Sequence, residues 1–204
     1  MNKAAIREQI KALLNRNDAT DAQVDTFIDQ AVARIQRTLR VPSMEKVEIY
    51  TITEDLPNSL SLPNDFLQLK HLYRPDGVIE FRDLGRFLMT QDAPGNKPLI
   101  YTRVQGSYQL KPTPPAGYQI TMIYYGQIPD LVNDTDTNFV TEIAPDLLVY
   151  GALTFAADFF VDDRKDSFEQ IAVRIFNEVQ DQANTLEFAQ DGMTVNTAYN
   201  APEY

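Results

Sequence analysis

The side chains best suited to metal chemistry lie in the stretch NDTDTN, residues 133–138, which spaces two carboxylates and an amide as D-x-D-x-N. A helix-loop-helix calcium loop begins with the same spacing of oxygen ligands. If Asp134 were the first ligand, glycine should stand sixth and a bidentate glutamate twelfth, but Phe139 and Pro145 occupy those places. We therefore predict no calcium site. Asx and Thr side chains also bond nearby backbone groups and cap helices, which is the role we expect here.

Nucleophiles and bases are scarce in the rest of the sequence. Cysteine is absent, which excludes disulfides, zinc-thiolate sites and thiol nucleophiles. The one histidine, His71, lies in the strand-like segment LQLKHLYR, where a packed or half-exposed residue is favoured over a catalytic base. No G-x-S-x-G motif indicates a serine hydrolase. We predict no catalytic residue, no metal site and no cofactor.

The 204-residue chain has a net charge of −11 that is concentrated in its last third. Residues 1–41 hold seven Lys and Arg against five Asp and Glu, residues 42–130 hold eight against ten, and residues 131–204 hold three against fourteen. Such an acidic surface repels phosphate backbones, which argues against sequence-specific nucleic-acid binding. No apolar run is long enough to span a membrane and the first residues contain no signal region, so we expect folding in the cytosol.

Apolar residues recur at helical spacing near both ends of the chain. Two amphipathic helices are predicted before Pro42, the second opened by a Thr20–Gln23 capping box. A helix that is apolar nearly all round follows Pro145, and Gly151 in its middle indicates a close helix crossing. An apolar stripe then marks the last helix, with Phe168, Ile171, Ala172, Ile175, Phe176, Val179, Ala183 and Leu186.

Between residues 46 and 126 the apolar period changes to two, which predicts mainly antiparallel strands joined by hairpins. We expect one short helix at residues 83–91 and one short strand at VIEF, residues 78–81. Packing accounts for any single tyrosine in this region, but as a set we expect several on an outward face suited to a protein interface. The set is Tyr50, Tyr73, Tyr101, Tyr108, Tyr118, Tyr124 and Tyr125.

These patterns predict an α+β protein: both chain ends form a four-helix bundle, and a mainly antiparallel β-rich domain is inserted between its second and third helices. The bundle should combine residues 1–42 with 143–188, the β-rich domain should span 43–130, and a return turn should occupy 131–142. Residues 189–204 lack core-forming periodicity and are expected to form an extended C-terminal tail that orders on a partner. Its candidate anchors are Val195, Tyr199 and Tyr204.

The segment YYGQIPDLVNDTDTNFVTEIAPDLLVYGALTFAADFF, residues 124–160, resembles the head-to-tail adaptors of tailed bacteriophages, a family that includes the tail tubular A-like proteins of short-tailed phages. The family similarly shows a strand ending in aromatics, a proline-containing link, a D-T-N turn, and a helix that opens with P-D-L and passes through Y-x-A-L. The matching residues are Tyr124, Tyr125, Pro129, Leu131, Asp136, Thr137, Asn138, Pro145, Asp146, Leu147, Tyr150, Ala152 and Leu153. The resemblance extends more weakly to residues 60–73 and to the helical opening of the chain.

This resemblance implies a structural, non-enzymatic virion protein, made in the host cytoplasm and placed at the head–tail junction. It implies a ring, usually of twelve copies, that sits below the portal protein, extends the DNA channel used in ejection, and offers a platform for tail nozzle or other tail proteins. DNA would pass through the lumen without sequence-specific binding. The D-T-N turn would be structural, with Asp136 and Asn138 bonding local backbone N–H groups; the remaining structural positions are Pro145, Asp146, Tyr150 and Gly151.

Contacts with copies or with the portal have two candidate sets. The first set is Arg34, Arg37 and Arg40, which recur at spacing three on the second helix. The ordinary interpretation is a solvated helix face. The more specific interpretation is a contact with the acidic last third of a neighbouring copy or with the portal. The tail anchors are our candidates for portal attachment.

Two other classes of function stay open. A carbohydrate-binding or sugar-cleaving protein could use the tyrosines as stacking platforms and a carboxylate pair such as Asp55 and Asp65, although only the abundance of carboxylates suggests that pair. A small-molecule-binding regulatory domain would use the helices, and a ligand-dependent thermal shift would favour it.

Overall fold

The structure, a computed structural model, describes residues 1–190, with side chains up to residue 186. Helices and antiparallel sheets both occur in these residues, so the predicted α+β class is confirmed. The chain divides into two compact units. A helical unit joins Met1–Pro42 to the chain from Ile128 onwards, and a β-rich unit comprises Ser43–Gln127.

The described residues form six helices and eight strands. The helices are α1 Lys3–Leu14, α2 Asp21–Thr38, α3 Leu84–Met89, α4 Phe139–Ile143, α5 Pro145–Phe159 and α6 Lys165–Gln190. The strands are β1 Glu45–Thr51, β2 Ser59–Ser61, β3 Phe66–Arg74, β4 Gly77–Val78, β5 Glu80–Phe81, β6 Ile100–Val104, β7 Ser107–Lys111 and β8 Gln119–Gly126. All strands and α3 belong to the β-rich unit.

The core of the helical unit surrounds α5. This helix packs against α1, α2 and α6, which explains why its sequence is apolar nearly all round. Its fully or almost fully buried side chains are Leu147, Leu148, Val149, Ala152, Leu153, Ala156 and Ala157. The capping box predicted for α2 is confirmed, because the Thr20 side chain and the Gln23 side chain each accept a hydrogen bond from the other's backbone N–H.

The predicted apolar stripe of α6 is buried along only part of its length. Phe168, Ala172, Ile175 and Ala183 are buried, but Leu186 is 53% exposed. Since a helix rises about 1.5 Å per residue, the 26 residues of α6 extend well beyond the 15 of α5. The last turns of α6 therefore lack the helix against which its earlier turns pack.

The β-rich unit consists of two four-stranded sheets around one core. The first sheet has strand order β1-β8-β3-β4 and is antiparallel. The second has order β2-β7-β6-β5 and is antiparallel apart from the parallel pair β5–β6. Both sheets contribute to the core, with Leu72, Ile120 and Met122 from the first and Leu60, Tyr108 and Leu110 from the second.

Most of the tyrosines belong to this core, so the expectation of an outward-facing set is wrong. Tyr108 and Tyr124 are buried in it, and Tyr50, Tyr101 and Tyr118 pack against it. Tyr125 is also buried and Tyr73 is half-buried. Aromatic side chains supply much of the apolar area that a small two-sheet core needs. Most of these tyrosines are therefore packed in or against the core and are not free on the outer surface.

Two segments differ from the sequence prediction. VIEF does not form one strand: Val78 pairs with the first sheet and Glu80 with the second, because Ile79 between them is buried in the shared core. The predicted return turn, residues 131–142, contains most of the short helix α4. A helix of five residues gives no period that a sequence pattern can detect.

Candidate functional site

The D-x-D-x-N stretch folds as a turn whose side chains bond their own backbone. The Asp136 carboxylate accepts hydrogen bonds from the N–H groups of Val132, at 3.0 Å, and Asn133, at 2.8 Å. The Asn138 side chain accepts from the Thr141 N–H, and the Thr141 hydroxyl accepts from the Asn138 N–H, both at 3.0 Å. This reciprocal pair is the capping box that opens α4.

The same turn caps α1 with its backbone carbonyls. The first three N–H groups of a helix have no partner within that helix. The Lys3 N–H donates to the Asp136 carbonyl at 3.1 Å and the Ala4 N–H to the Asp134 carbonyl at 3.0 Å, while the Asn2 side chain accepts from the third N–H at 2.9 Å. The turn therefore fastens the first helix of the chain to the segment that leads into α4.

A cluster of charged side chains strengthens this junction. The buried Arg7 guanidinium donates to both carboxylate oxygens of Asp25, at 2.7 and 2.9 Å, and to Asp134 at 2.8 Å. These bonds raise the pKa of Arg7 above its ordinary value. Burial alone would raise the pKa of Asp25, but hydrogen bonds from Arg7 and Lys3 outweigh it and hold that pKa below its ordinary value.

These bonds account for the residue types of the stretch without a metal. The Asp134 carboxylate pairs with Arg7, and the Asp136 carboxylate bonds its own backbone. Among the side chains that the structure describes, no group of three or more from His, Cys, Asp or Glu could hold a metal ion. The arrangement joins separate parts of the helical unit.

We expect replacement of Asn138 with alanine to lower the free energy of unfolding by about 1–3 kcal/mol. The buried Asn138 caps α4 and also donates to the Pro129 carbonyl at 2.9 Å, which would lose its partner. Asn138→Asp keeps the cap but places a carboxylate beside that carbonyl, so it should recover only part of the loss. Urea unfolding measures both changes. Asn177→Ala, on the exposed face of α6, is the control, and an equal effect at the two positions would contradict the assignment.

The other residues of the structural motif open and pack α5. Pro145 is the first residue of the helix, where an N–H would have no partner within the helix. The Asp146 carboxylate in the first turn is favourable for the helix dipole and accepts from the Leu147 N–H at 3.0 Å. The Tyr150 ring contacts the Phe168 ring of α6, with centroids 6.3 Å apart.

Gly151 lies where α5 crosses α2. A Cβ atom at Gly151 would stand 3.3 Å from the Cβ of Ala31, closer than an ordinary van der Waals contact. The two helices therefore approach more closely than a larger residue would allow, and a glycine in a helix interior has a packing reason here.

The three arginines of α2 are engaged to different degrees. The Arg34 guanidinium donates to both carboxylate oxygens of Glu169 in α6, one of them at 2.6 Å. Arg40 donates to two backbone carbonyls at the end of α2, at 2.6 and 3.0 Å. Arg37 is exposed and borders a largely apolar groove of about 240 Å³ between α2, α5 and α6. Of the three, Arg37 is the most available to another molecule.

The two carboxylates considered for sugar chemistry have different environments: Asp65 is bonded within the fold, and Asp55 is exposed to solvent. Asp65 pairs with Lys46 and accepts from the Tyr124 hydroxyl at 3.0 Å. The Lys46 bond lowers the pKa of Asp65, while burial and the Asp65 bond raise the pKa of Tyr124 to about 12. Asp55 lies exposed in the loop after β1. With most tyrosines in the core, the carbohydrate alternative loses the stacking platforms on which it depended.

The loop between α5 and α6 is held by Arg164. Its guanidinium donates to both oxygens of Asp162, at 2.6 and 3.0 Å, and to the carbonyls of Leu13 and Leu14 at the end of α1. The bonds from Arg164 lower the pKa of Asp162 to about 2. This loop is thus tied to α1 through one arginine that is oriented by an ionised carboxylate.

The free energy of unfolding should therefore decrease at acid pH, because protonation of Asp162 weakens its bonds to Arg164 in this loop. A carboxylate with a depressed folded-state pKa stabilises the fold fully above its unfolded value, here 3.8, and loses that contribution as the pH falls towards 2. We expect Asp162→Asn to reduce the slope of unfolding free energy against pH between about 4 and 2. Urea unfolding at several pH values measures the slope. The exposed neighbour Asp163 provides the control Asp163→Asn; an unchanged slope in Asp162→Asn would contradict the prediction.

Sequence reasoning missed the ion pairs between α1 and α2, although a signal was present. Basic residues recur at spacing four along α1, as Lys3, Arg7 and Lys11, and Asp21 and Asp25 have the same spacing in α2. In an antiparallel pair these stripes meet in reverse order, with Lys11 against Asp21 and Arg7 against Asp25. Matching the two stripes would have predicted the contact.

The tail residues Val195, Tyr199 and Tyr204 lie outside the described residues. None of the described helices combines the length and the apolar character that a membrane span requires.

A family model described as SU10 adaptor protein matches residues 1–198. No curated protein matches the chain.

Proposed function

Since the chain belongs to the SU10 adaptor protein family, a family of phage head-to-tail adaptors, we propose that it forms a ring that connects the portal to the tail. The observation that carries this proposal is the match over residues 1–198 of a 204-residue chain. A phage adaptor is a component of the virion. We place this one at the head–tail junction, assembled from chains made in the host cytoplasm.

A structural role is favoured by the family and fits the bonding of the side chains. Several carboxylates serve the fold: Asp25 and Asp134 bind Arg7, and Asp65 binds Lys46 and Tyr124. Their partners are other parts of the same unit. We infer that α1, α2, α5 and α6 act as a four-helix bundle from both chain ends, that the β-rich unit is its insertion, and that both present surfaces for recognition.

The charge of the chain supports passage of DNA without binding. Each copy carries −11, so a ring of twelve would carry roughly −130 formal charges, and those that face the lumen would repel phosphates. We propose that DNA moves through the ring during ejection with no sequence-specific contact. Acid on the outer surface would only favour solubility.

We propose two partner contacts. The exposed Arg37 is the member of the arginine set available for an acidic patch on a neighbouring copy or on the portal. The tail residues Val195, Tyr199 and Tyr204 would attach the ring to the portal by ordering on it. Tail nozzle or other tail proteins would then bind the opposite end of the ring.

Deletion of residues 189–204 should abolish portal binding while the thermal midpoint of the remaining chain stays near that of the full chain. A sharper variant replaces Val195, Tyr199 and Tyr204 with serine; the control replaces Asn196 and Asn200 with serine in the same segment. If the triple-substituted chain still binds the portal, the tail does not attach the ring to it.

Sedimentation velocity of the full chain mixed with the portal protein tests the adaptor function itself. We expect a complex in which the number of bound chains matches the number of portal subunits. Two boundaries at the positions of the separate proteins, at concentrations well above micromolar, would contradict the proposal.

A further inference from the structure

The outward face of the first sheet carries an apolar patch. Residues directly opposite each other on neighbouring strands share a face, and one row of such pairs crosses all four strands: Ile49–Thr121–Tyr73–Val78. The next row is Val47–Ile123–His71. These residues alternate with core residues such as Ile120 and Met122, so they point away from the core.

This surface, called the sheet patch, consists of Val47, Ile49, Tyr73, Val78 and Ile123. Its three most exposed members, Val47, Ile49 and Val78, are 60%, 61% and 63% exposed. Alternation in an antiparallel sheet normally places polar residues on a solvated face. Two adjacent rows with exposed β-branched side chains depart from that rule and indicate a contact surface.

A second apolar patch lies on α3, on the other side of the β-rich unit. The helix packs against β6, and its Phe87 side chain is buried. Lys111, which alternates with the core residue Leu110, donates to the carbonyls of Phe87 and Thr90 at 3.1 and 2.9 Å. This places α3 on the outward face of the second sheet. Its exposed side chains define the helix patch: Leu84, Leu88 and Met89, which are 47%, 68% and 88% exposed.

We propose that the sheet patch of one copy packs against the helix patch of the next copy around the ring. The inference rests on the proposed adaptor function and assigns the self-contact to the β-rich unit. A ring of identical subunits needs two different patches on each copy. The β-rich unit supplies two apolar patches on opposite sides of one core, because each lies on the outward face of a different sheet.

The distribution of charge favours the β-rich unit as the place where two copies meet, because residues 42–130 hold eight Lys and Arg against ten Asp and Glu. Identical copies with a net charge of −11 repel one another, and residues 131–204 hold most of that charge. Two acids near the patches are paired within the chain: Glu45 pairs with Lys70 beside the sheet patch, and Asp83 pairs with Arg86 on α3. The contact would therefore bury apolar side chains while these two carboxylates keep their partners.

The size of the patches indicates when the contact forms. A stable pair buries roughly 800 Å² on each partner, which a few side chains cannot supply alone. The contact should be weak between free copies and strong where the portal holds several copies in place and a ring closes.

The absence of cysteine from the sequence allows a direct test by disulfide cross-linking. One preparation carries Ile49→Cys, and a second, with a size tag, carries Leu88→Cys. The two are mixed in equal amounts, assembled on the portal protein and oxidised. We expect the mixed disulfide dimer to exceed, by roughly tenfold or more, the dimer formed when the tagged chain carries Asp55→Cys instead. Asp55 lies in the loop that joins the two sheets, on neither outward face.

The outcomes separate this inference from the proposed function. Rings of the unsubstituted chain together with the mixed dimer support both. Rings without the mixed dimer, or with only Ile49–Ile49 and Leu88–Leu88 dimers, overturn the inference and leave the adaptor function standing. Failure of the unsubstituted chain to assemble on the portal overturns both. The thermal midpoint of each variant checks that the exposed substitutions leave the fold intact.

Discussion

Replacement of Arg7 with methionine should lower the free energy of unfolding of the helical unit by about 2–4 kcal/mol. Arg7 makes three hydrogen bonds to Asp25 and Asp134 and is buried beside the turn that caps α1. Without it, Asp25 keeps only Lys3 as a charged partner, and the junction between α1, α2 and the turn loses its central donor. Urea unfolding followed by circular dichroism at 222 nm measures the change.

A matched control separates this loss from a general effect of removing an arginine. Arg174 pairs with Glu178 at 4.0 Å on the exposed face of α6, so Arg174→Met should change stability by less than about 1 kcal/mol. Asp25→Asn should cost less in the Arg7→Met chain than in the wild type, since Asp25 has already lost its bonds to Arg7 there. Equal losses for Arg7→Met and Arg174→Met would contradict the account of the junction.

Replacement of Gly151 with leucine should destabilise the helical unit by about 3 kcal/mol. The first added carbon already meets the Cβ of Ala31 at 3.3 Å, so the remaining carbons of leucine can fit only if α5 and α2 move apart. Such a movement would disturb a core in which α5 contacts α1, α2 and α6. Thermal and urea unfolding measure the loss.

The alanine variant at the same position provides a graded comparison. Gly151→Ala gains about 1 kcal/mol of helix propensity and meets a single close contact, so its net effect should be small. Ala31→Gly in the same chain removes that contact and should make Gly151→Ala more favourable than it is alone. If Gly151→Leu were tolerated as well as Gly151→Ala, the close crossing would not limit the packing.

Local patterns in the sequence were sufficient to predict where the long helices and the strands lie. Helical periodicity located α1, α2, α5 and α6, and the Thr20–Gln23 box located the start of α2, because these signals depend on neighbours within a few residues. The change to a period of two located the strands of the β-rich unit for the same reason. The D-x-D-x-N stretch was also interpretable, since Asx side chains bond backbone groups close by in the chain.

Contacts between distant parts of the chain could not be obtained in this way. The bonds of Arg7 to Asp134 and of Arg34 to Glu169 join residues more than 120 positions apart, and no local pattern encodes them. The tyrosines of the β-rich unit failed as a predicted outward set because strand propensity gives no information on which face meets the second sheet. Ile79 shows the same limit, since its burial divides VIEF between two sheets.

Electron microscopy of the chain mixed with its portal protein tests the central claim most directly. We expect class averages in which a collar of regularly repeated subunits lies below the portal, twelve in number if the portal has twelve, with the channel open along the axis. Averages that show bare portals and separate small particles, under conditions where both proteins are folded, would contradict it.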